Sequence, residues 1–273
     1  MSQVAVISGC SSGIGRATAE LLAKNGFKVY ATMRNTDEIS FDDDNIQTAL
    51  LDVNSQESID SAIDIILENE GKIDVLINNA GYGLIGSIED CSIDEIKSQF
   101  ETDFFGPARM IKKIVPRMRE RKSGIIINIS SIAGQIGFPF SSAYSSSKFA
   151  LEGMTDSLRQ ELGEYEIKLS LIEPGVVKTK FHQNLQVATN AKSSHYKDQT
   201  ELMVENAAKL FEMGIQPQEV ADKILEVIKT KNPEPRYTVG TDAKLFMENK
   251  KRMSGIEFEQ SIKEFFEQMM KFS

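Results

Sequence analysis

Tyr144 and Lys148 stand four residues apart in SSAYSSSKFALEGMTDSL, a stretch with helical periodicity. Positions i and i+4 fall on one helix face, so a phenol and an ammonium placed there share a pocket. An unperturbed phenol, with a pKa near 10, exchanges protons poorly at neutral pH; bringing it near 7 takes about 4 kcal/mol of differential stabilisation. A neighbouring lysine ammonium favours the phenolate and supplies part of that. As a string Y-x3-K is common, with roughly 0.5 occurrences expected by chance in a chain of this composition. Ser131 gives it weight. It follows the apolar strand pattern IIINIS, and ligands of parallel sheets sit at the carboxyl ends of strands. A hydroxyl there can orient a substrate oxygen towards Tyr144.

A second constellation lies near the start. Gly9, Gly13 and Gly15 in SGCSSGIGRATAELL follow an apolar strand and open a helix. Glycine serves three needs in such a place: a tight turn, close backbone approach to a diphosphate, and close helix–sheet packing. The helix N-terminus then offers N–H groups and positive dipole to phosphates. The same residues spell G-x-S-x-G, the nucleophile elbow of α/β-hydrolases. That reading fails on position, because Ser11 has no strands before it to build an oxyanion hole, and His182 and His195 lie far away in an irregular segment. Ser145-x-x-Lys148 has a β-lactamase-like spacing but no S-D-N or K-T-G partner.

These residues need a scaffold. Strands are predicted over Gln3–Ser8, Lys28–Thr32, Ile46–Leu51, Ile73–Asn78, Ile125–Ile129, Lys168–Ile172 and Arg236–Val239, separated by stretches such as Ile59, Ile63, Ile66, Leu67 at helical spacing. Most strands are continuous apolar runs, which implies burial on both faces. Strand–helix alternation then gives an α/β fold: one doubly wound Rossmann-type domain spanning 1–273, with a mostly parallel seven-stranded sheet between helices. Residues 180–214 form an irregular segment suited to a substrate lid. Residues 241–273 form a helical extension whose stripe Phe258, Ile262, Phe265, Met269 packs on the domain or a sister subunit, being too poor in Lys and Arg for a membrane-surface helix.

Composition excludes several classes. The net charge of −9 argues against nucleic acid as a partner, and the basic stretch Lys112–Lys122 reads as a solvated helix face. Cys10 and Cys91 match no disulfide framework, and two histidines without clustered cysteines make no metal site. No apolar run is long enough for a membrane span, and no leader precedes the first strand, so a cytoplasmic protein is expected.

Taken in order, Gly9/Gly13/Gly15, Asn78-Asn79-Ala80-Gly81, Ser131, Tyr144, Lys148 and Pro174-Gly175 closely resemble the short-chain dehydrogenase/reductase family over residues 3 to about 180. The resemblance implies that Ser131 holds the carbonyl or hydroxyl oxygen, that Tyr144 passes the proton, and that Lys148 binds the nicotinamide ribose and lowers the tyrosine pKa. It places Gly9, Ser11, Ser12, Gly13, Ile14 and Gly15 at the diphosphate. Asp52 and Val53 lie along the adenine, with Asn79, Ala80 and Gly81 near the adenosine ribose. Pro174, Gly175, Val177 and Thr179 face the carboxamide. The family usually has Asn where this chain has Asp103. Pro107 has no N–H to give the carbonyl of residue 103, so a kink there is expected to leave that main-chain oxygen free, and it, rather than the side chain, is expected to bind a relay water next to Lys148.

The cofactor is expected to be NADP(H). No acid occupies residues 30–35 to take a ribose 2′-hydroxyl, and Arg34 can pair with a 2′-phosphate, helped by Ser11 or Ser12. Tyr82, Gln135, Phe138 and Phe181 are expected around an apolar substrate. The stretch Asn128–Gly153 with LSLIEPGVVKT is most similar to the hydroxysteroid and retinol dehydrogenase branch, which implies a lipophilic ketone or alcohol. A homodimer or homotetramer is the family expectation. The competing function is a non-catalytic NADP(H)-binding regulator or scaffold on the same fold.

Overall fold

Every strand predicted from the sequence joins one parallel sheet. In the computed structural model, which describes residues 2–37 and 39–269, the strands are β1 (Val4–Ser8), β2 (Lys28–Met33), β3 (Ile46–Leu50), β4 (Val75–Asn78), β5 (Leu84–Ile85), β6 (Gly124–Ile129), β7 (Ile167–Pro174), β8 (Gln186–Val187) and β9 (Arg236–Val239). The seven-stranded sheet runs β3-β2-β1-β4-β6-β7-β9, and β5 and β8 pair separately. The helices are α1 (Gly13–Lys24), α2 (Gln56–Glu70), α3 (Ile93–Phe100), α4 (Gly106–Glu120), α5 (Ser142–Gly163), α6 (Lys197–Glu212), α7 (Pro217–Lys229), α8 (Thr241–Arg252) and α9 (Gly255–Met269).

The apolar runs are explained by two cores. Ala5 and Ile7 of β1 join Leu22 of α1 and Val220, Ile224 and Val227 of α7 on one face. Val4 and Val6 join Ile59 and Ile63 of α2 and Met110 and Ile114 of α4 on the other. Alternate residues of one strand thus serve opposite layers, so β1 is apolar on both faces. The strand order reverses between β1 and β4, which opens a crevice at their carboxyl ends. Gly9 follows one of these strands and Asn79 the other.

Two regions depart from expectation. The segment 180–214, predicted irregular, contains the four-turn helix α6 and the short strand β8. β8 is held against β5 by Gln186 N–H to the Gly83 carbonyl and Ala188 N–H to the Ile85 carbonyl. Between α3 and α4 the chain makes a π-helical turn over Glu101–Phe105, where Gly106 N–H bonds the Glu101 carbonyl. Pro107 lies at the start of α4, and its missing N–H favours a widened turn over a regular one. The C-terminal helices fold back on the chain. Phe246 meets Phe265 at 5.0 Å, Phe266 stacks on Phe140 at 5.5 Å, and Ile262 is buried. Met269, the last residue of the predicted stripe, has its side chain outside the described residues.

A buried polar chain ties α5 to the sheet. The Asn78 amide donates to Asn128 at 2.8 Å, the Asn128 amide donates to the Thr155 hydroxyl at 2.8 Å, and that hydroxyl donates to the Leu151 carbonyl at 2.7 Å. Thr155→Val removes the middle acceptor and leaves the Asn128 amide unpaired in a dry interior. Denaturant unfolding is expected to show a loss of about 1–3 kcal/mol; an unchanged midpoint would show that the chain contributes nothing to docking α5.

Candidate active site

The crevice starts at the glycine turn. Gly9 and Gly13 have φ of +74° and +60°, in the left-handed region that favours glycine. Gly15 is needed for space: a β-carbon would lie 2.4 Å from the Gly9 carbonyl oxygen and 2.5 Å from the Asn79 amide nitrogen. The Asn79 amide itself donates to the carbonyls of Ser8 and Gly9, and the Ser8 hydroxyl accepts the N–H of Asn79 and of Ala80. The loop after β4 is thereby stitched to the turn after β1. Ser12 caps α1 without a side-chain hydrogen bond, and the first turn carries no acidic residue. Its orphan N–H groups and dipole suit an anion. The Thr179 methyl lies against Gly13, so the segment after β7 reaches the same turn. These features fit a dinucleotide diphosphate. Val53 is buried against Gly106, Asp52 accepts the Asn54 N–H, and Ile14 packs on the core below. Arg34 stands exposed just past β2, with no partner among the described residues.

The residues expected to transfer the proton come from two elements. β6 leads to Ser131, whose hydroxyl accepts the Ala133 N–H at 3.1 Å and favours the Tyr144 phenolate. α5 delivers Tyr144 and Lys148 on one face. The lysine is buried, its Nζ 3.1 Å from the Ile129 carbonyl, 3.4 Å from Asp103 Oδ2 and 5.7 Å from the centre of the Tyr144 ring. Burial works against the ammonium, but the Asp103 carboxylate and Tyr144 prevail and hold its pKa above the usual lysine value. For Tyr144 burial dominates and pushes the phenol up; Lys148 pulls it down, Asp103 pushes it up further and Ser131 pulls it down. Lys148 therefore supplies the expected lowering without outweighing burial.

Asp103 requires a correction. The widened turn forms where Pro107 predicts it, but the carboxylate itself faces Lys148, where the sequence placed the main-chain carbonyl. The π turn rotates the fully buried side chain inward, where Oδ1 also accepts the Tyr82 N–H at 3.3 Å and lies beside Gly81. Burial raises its pKa while Lys148 lowers it.

Above Tyr144 a cavity of about 170 Å³ is lined by Gly83, Leu84, Phe181, Leu185, Met203 and Phe211, among others. Phe181 lines it as expected, 6.1 Å from the Tyr144 ring and stacked on Phe211 at 5.8 Å. Three expected substrate contacts are absent from its lining. Gln135 turns away to donate to Glu152 at 2.9 Å. Phe138 packs edge-on against Phe246 at 5.8 Å, because the C-terminal helices cover it. Tyr82 is fixed through its backbone to Asp103 and Gln99. The residues missed, Met203, Ala207, Leu210 and Phe211 of α6, do carry a signal: they recur at helical spacing on one face. Behind β7, Val177 is buried and paired with Ile215. The N–H of Gly175, next to Pro174, bonds the Val239 carbonyl.

A sequence model of the family described as short chain dehydrogenase matches residues 3–190. The chain belongs to that family. As a short-chain dehydrogenase it is an oxidoreductase with a site for a nicotinamide cofactor. It is 36% identical over 239 residues to a 3-ketodihydrosphingosine reductase of Bacteroides thetaiotaomicron, covering 87% of this chain and 88% of the relative. It is 40% identical over 248 residues to retinol dehydrogenase 8 of Homo sapiens, covering 84% of this chain and 78% of the relative. Among solved structures, a short-chain dehydrogenase from Streptomyces avermitilis superposes with a TM-score of 0.82 at 30% identity, covering 98% of both chains.

Asp103→Asn tests the electrostatics of this site. Removing the carboxylate removes an influence that raises the Tyr144 pKa, so the pH profile of alcohol oxidation is expected to move to lower pH. An unmoved profile would mean that the carboxyl of Asp103 carries no charge in the working enzyme.

Proposed function

We propose that the protein transfers a hydride between NADP(H) and a carbonyl/alcohol pair on a lipophilic ketone or secondary alcohol. The carrying observation is that Tyr144, in contact with Ser131 and backed by buried Lys148, forms part of the wall of an apolar cavity. Ser131 orients the substrate oxygen, and Tyr144 Oη gives it a proton in reduction or takes one in oxidation. Lys148 favours the phenolate, so the proton leaves Tyr144 more readily than burial alone would allow. Gly9, Gly13, Gly15 and the start of α1 would hold the cofactor diphosphate, Asp52, Val53 and Asn79–Gly81 the adenosine end, and Pro174, Gly175, Val177 and Thr179 the carboxamide. When bound, the nicotinamide supplies or accepts the hydride. Arg34, exposed at the end of β2 with no acid beside it in residues 30–35, supports a 2′-phosphate.

The substrate class rests on the lining of the cavity. Phe181, Leu185, Met203 and Phe211 offer no hydrogen bonds, so affinity comes from apolar burial and orientation from Ser131 and Tyr144. The names of the two curated relatives, a ketosphingoid reductase and a retinol dehydrogenase, are of mostly hydrocarbon molecules and support the same class.

The test is NADPH consumption over a panel of hydrophobic ketones and aldehydes. Turnover is expected, with a loss of about 10²–10⁴-fold in Tyr144→Phe. Tight NADPH binding without turnover of any member would favour the regulator instead. Arg34→Ala is expected to raise KM for NADPH by roughly tenfold or more and leave KM for NADH alone. Equal kcat/KM with both cofactors, unchanged in the variant, would refute NADP preference.

A further inference from the structure

Behind the proton-transfer residues lies a second acidic cluster that the proposed chemistry does not use. Glu152, one helical turn beyond Lys148 on α5, and Glu173, next to Pro174 in β7, are 4% and 0% exposed. Both touch the guanidinium of Arg236 on β9, Glu152 at 3.1 Å and Glu173 at 3.3 Å. The same guanidinium also pairs with Asp156 of α5 at 2.8 Å, an exposed carboxylate that water solvates. The Glu152 carboxyl accepts the Gln135 amide at 2.9 Å. Glu173 accepts the Thr238 hydroxyl at 3.1 Å and is bridged to Glu152 by the Arg236 guanidinium.

The charges do not balance. One guanidinium faces three carboxyls. The other cations nearby are committed elsewhere: Lys148 to Asp103 and the Ile129 carbonyl, and Lys250 of α8 to the Gln135 carbonyl. Two ionised carboxylates cannot share a dry site without a second counter-charge. Glu152 Oε1 has no hydrogen-bond partner among the described residues and Glu173 Oε1 has only its ion pair with Arg236, so a proton on one of them would provide a bond.

We propose that Glu152 and Glu173 share one proton and act as a positioning pair, fixing the Ser131 loop, α5 and the carboxyl end of β7 against one another. The loop is gripped through Gln135, α5 through Glu152, and the segment leading to Pro174 and Gly175 through Glu173. The three elements that carry the proposed oxygen-orienting serine, the tyrosine–lysine pair and the proposed carboxamide contacts therefore meet at this one Arg236-bridged carboxyl pair. Burial, the largest influence, pushes the Glu152 pKa up to about 7, and the neighbouring Glu173 adds to the rise against Ser130 and Arg236.

The linkage has a definite sign. A carboxyl whose folded pKa exceeds its unfolded value favours the folded state most below the ordinary glutamate range and loses that contribution as pH rises through about 7. The test uses the full chain. Difference infrared spectroscopy at pH 7, wild type against Glu152→Gln and Glu173→Gln, is expected to show an un-ionised carboxyl in the wild type that either variant abolishes. Tm of the wild type is expected to fall between pH 5 and pH 8 more steeply than that of Glu152→Gln. Having two variants keeps the test open if one fails to fold. A wild type with no un-ionised carboxyl, or equal Tm slopes, overturns the proposal. The kinetic arm alone rests on the proposed roles of Tyr144 and Lys148. Glu152→Ala is expected to lose kcat by about tenfold or more, which the uncharged isostere Glu152→Gln restores to within about threefold. Equal losses in both would show that positioning needs the negative charge and not the shared proton. If no substrate turns over, the infrared and Tm readouts still decide the matter.

Discussion

A single buried cation organises this protein. Lys148 sits in the interior between the Ile129 carbonyl and the Asp103 carboxylate, and a charge in that position survives only because both are there. Each neighbour belongs to a different part of the fold, one at the end of a central strand and the other in a widened helical turn. The position of the ammonium therefore depends on the sheet, on α5 and on the π turn together. Tyr144, one turn away, inherits its acidity from that balance. Burial and Asp103 push it up, Lys148 and Ser131 pull it down, and the chemistry proposed for the site depends on which of these dominates as the cavity fills.

The sheet does the placing. With β1 and β4 at the reversal of strand order, the glycine turn and the Asn79 loop emerge side by side and are then bound together by Ser8 and Asn79. β6 leads to Ser131 and β7 ends at Pro174, so the same edge of the sheet carries both the Ser131 loop and the walls of the crevice. The segment after β7 is attached to the rest of the fold through the β5–β8 pairing and through Thr189, whose N–H and hydroxyl both bond Glu95 of α3. The cavity thus has Tyr144 at its floor and walls drawn from α6.

Much of this was legible in the sequence, and the limits have physical causes. Continuous apolar runs such as VAVIS and IIINI can only be strands covered on both sides, which settles the parallel sheet. Gly9, Gly13 and Gly15 announce a turn that other residues would strain or block. Tyr144 and Lys148 at helical spacing behind Ser131 lead to the proton-transfer group. Gln135 and Phe138 could not be placed, because a residue in a strand-end loop has no periodicity to fix its direction; Arg236 and the C-terminal helices, distant in sequence, decide where they point. Asp103 failed for a related reason. Pro107 reveals that the helix is perturbed, but not that the perturbation is a π turn that carries the side chain inward.

The site depends above all on the restraint that Lys148 places on a phenol that burial would otherwise make a much weaker acid. That restraint is tested most directly by following the ultraviolet absorbance of the Tyr144 phenolate against pH, as the difference between each protein and its Tyr144→Phe counterpart, in the wild type and in Lys148→Met. The phenol is expected to titrate above ordinary tyrosine in the wild type and higher still when the ammonium is gone. Titration at the ordinary value in both, as for a tyrosine facing water, would contradict it.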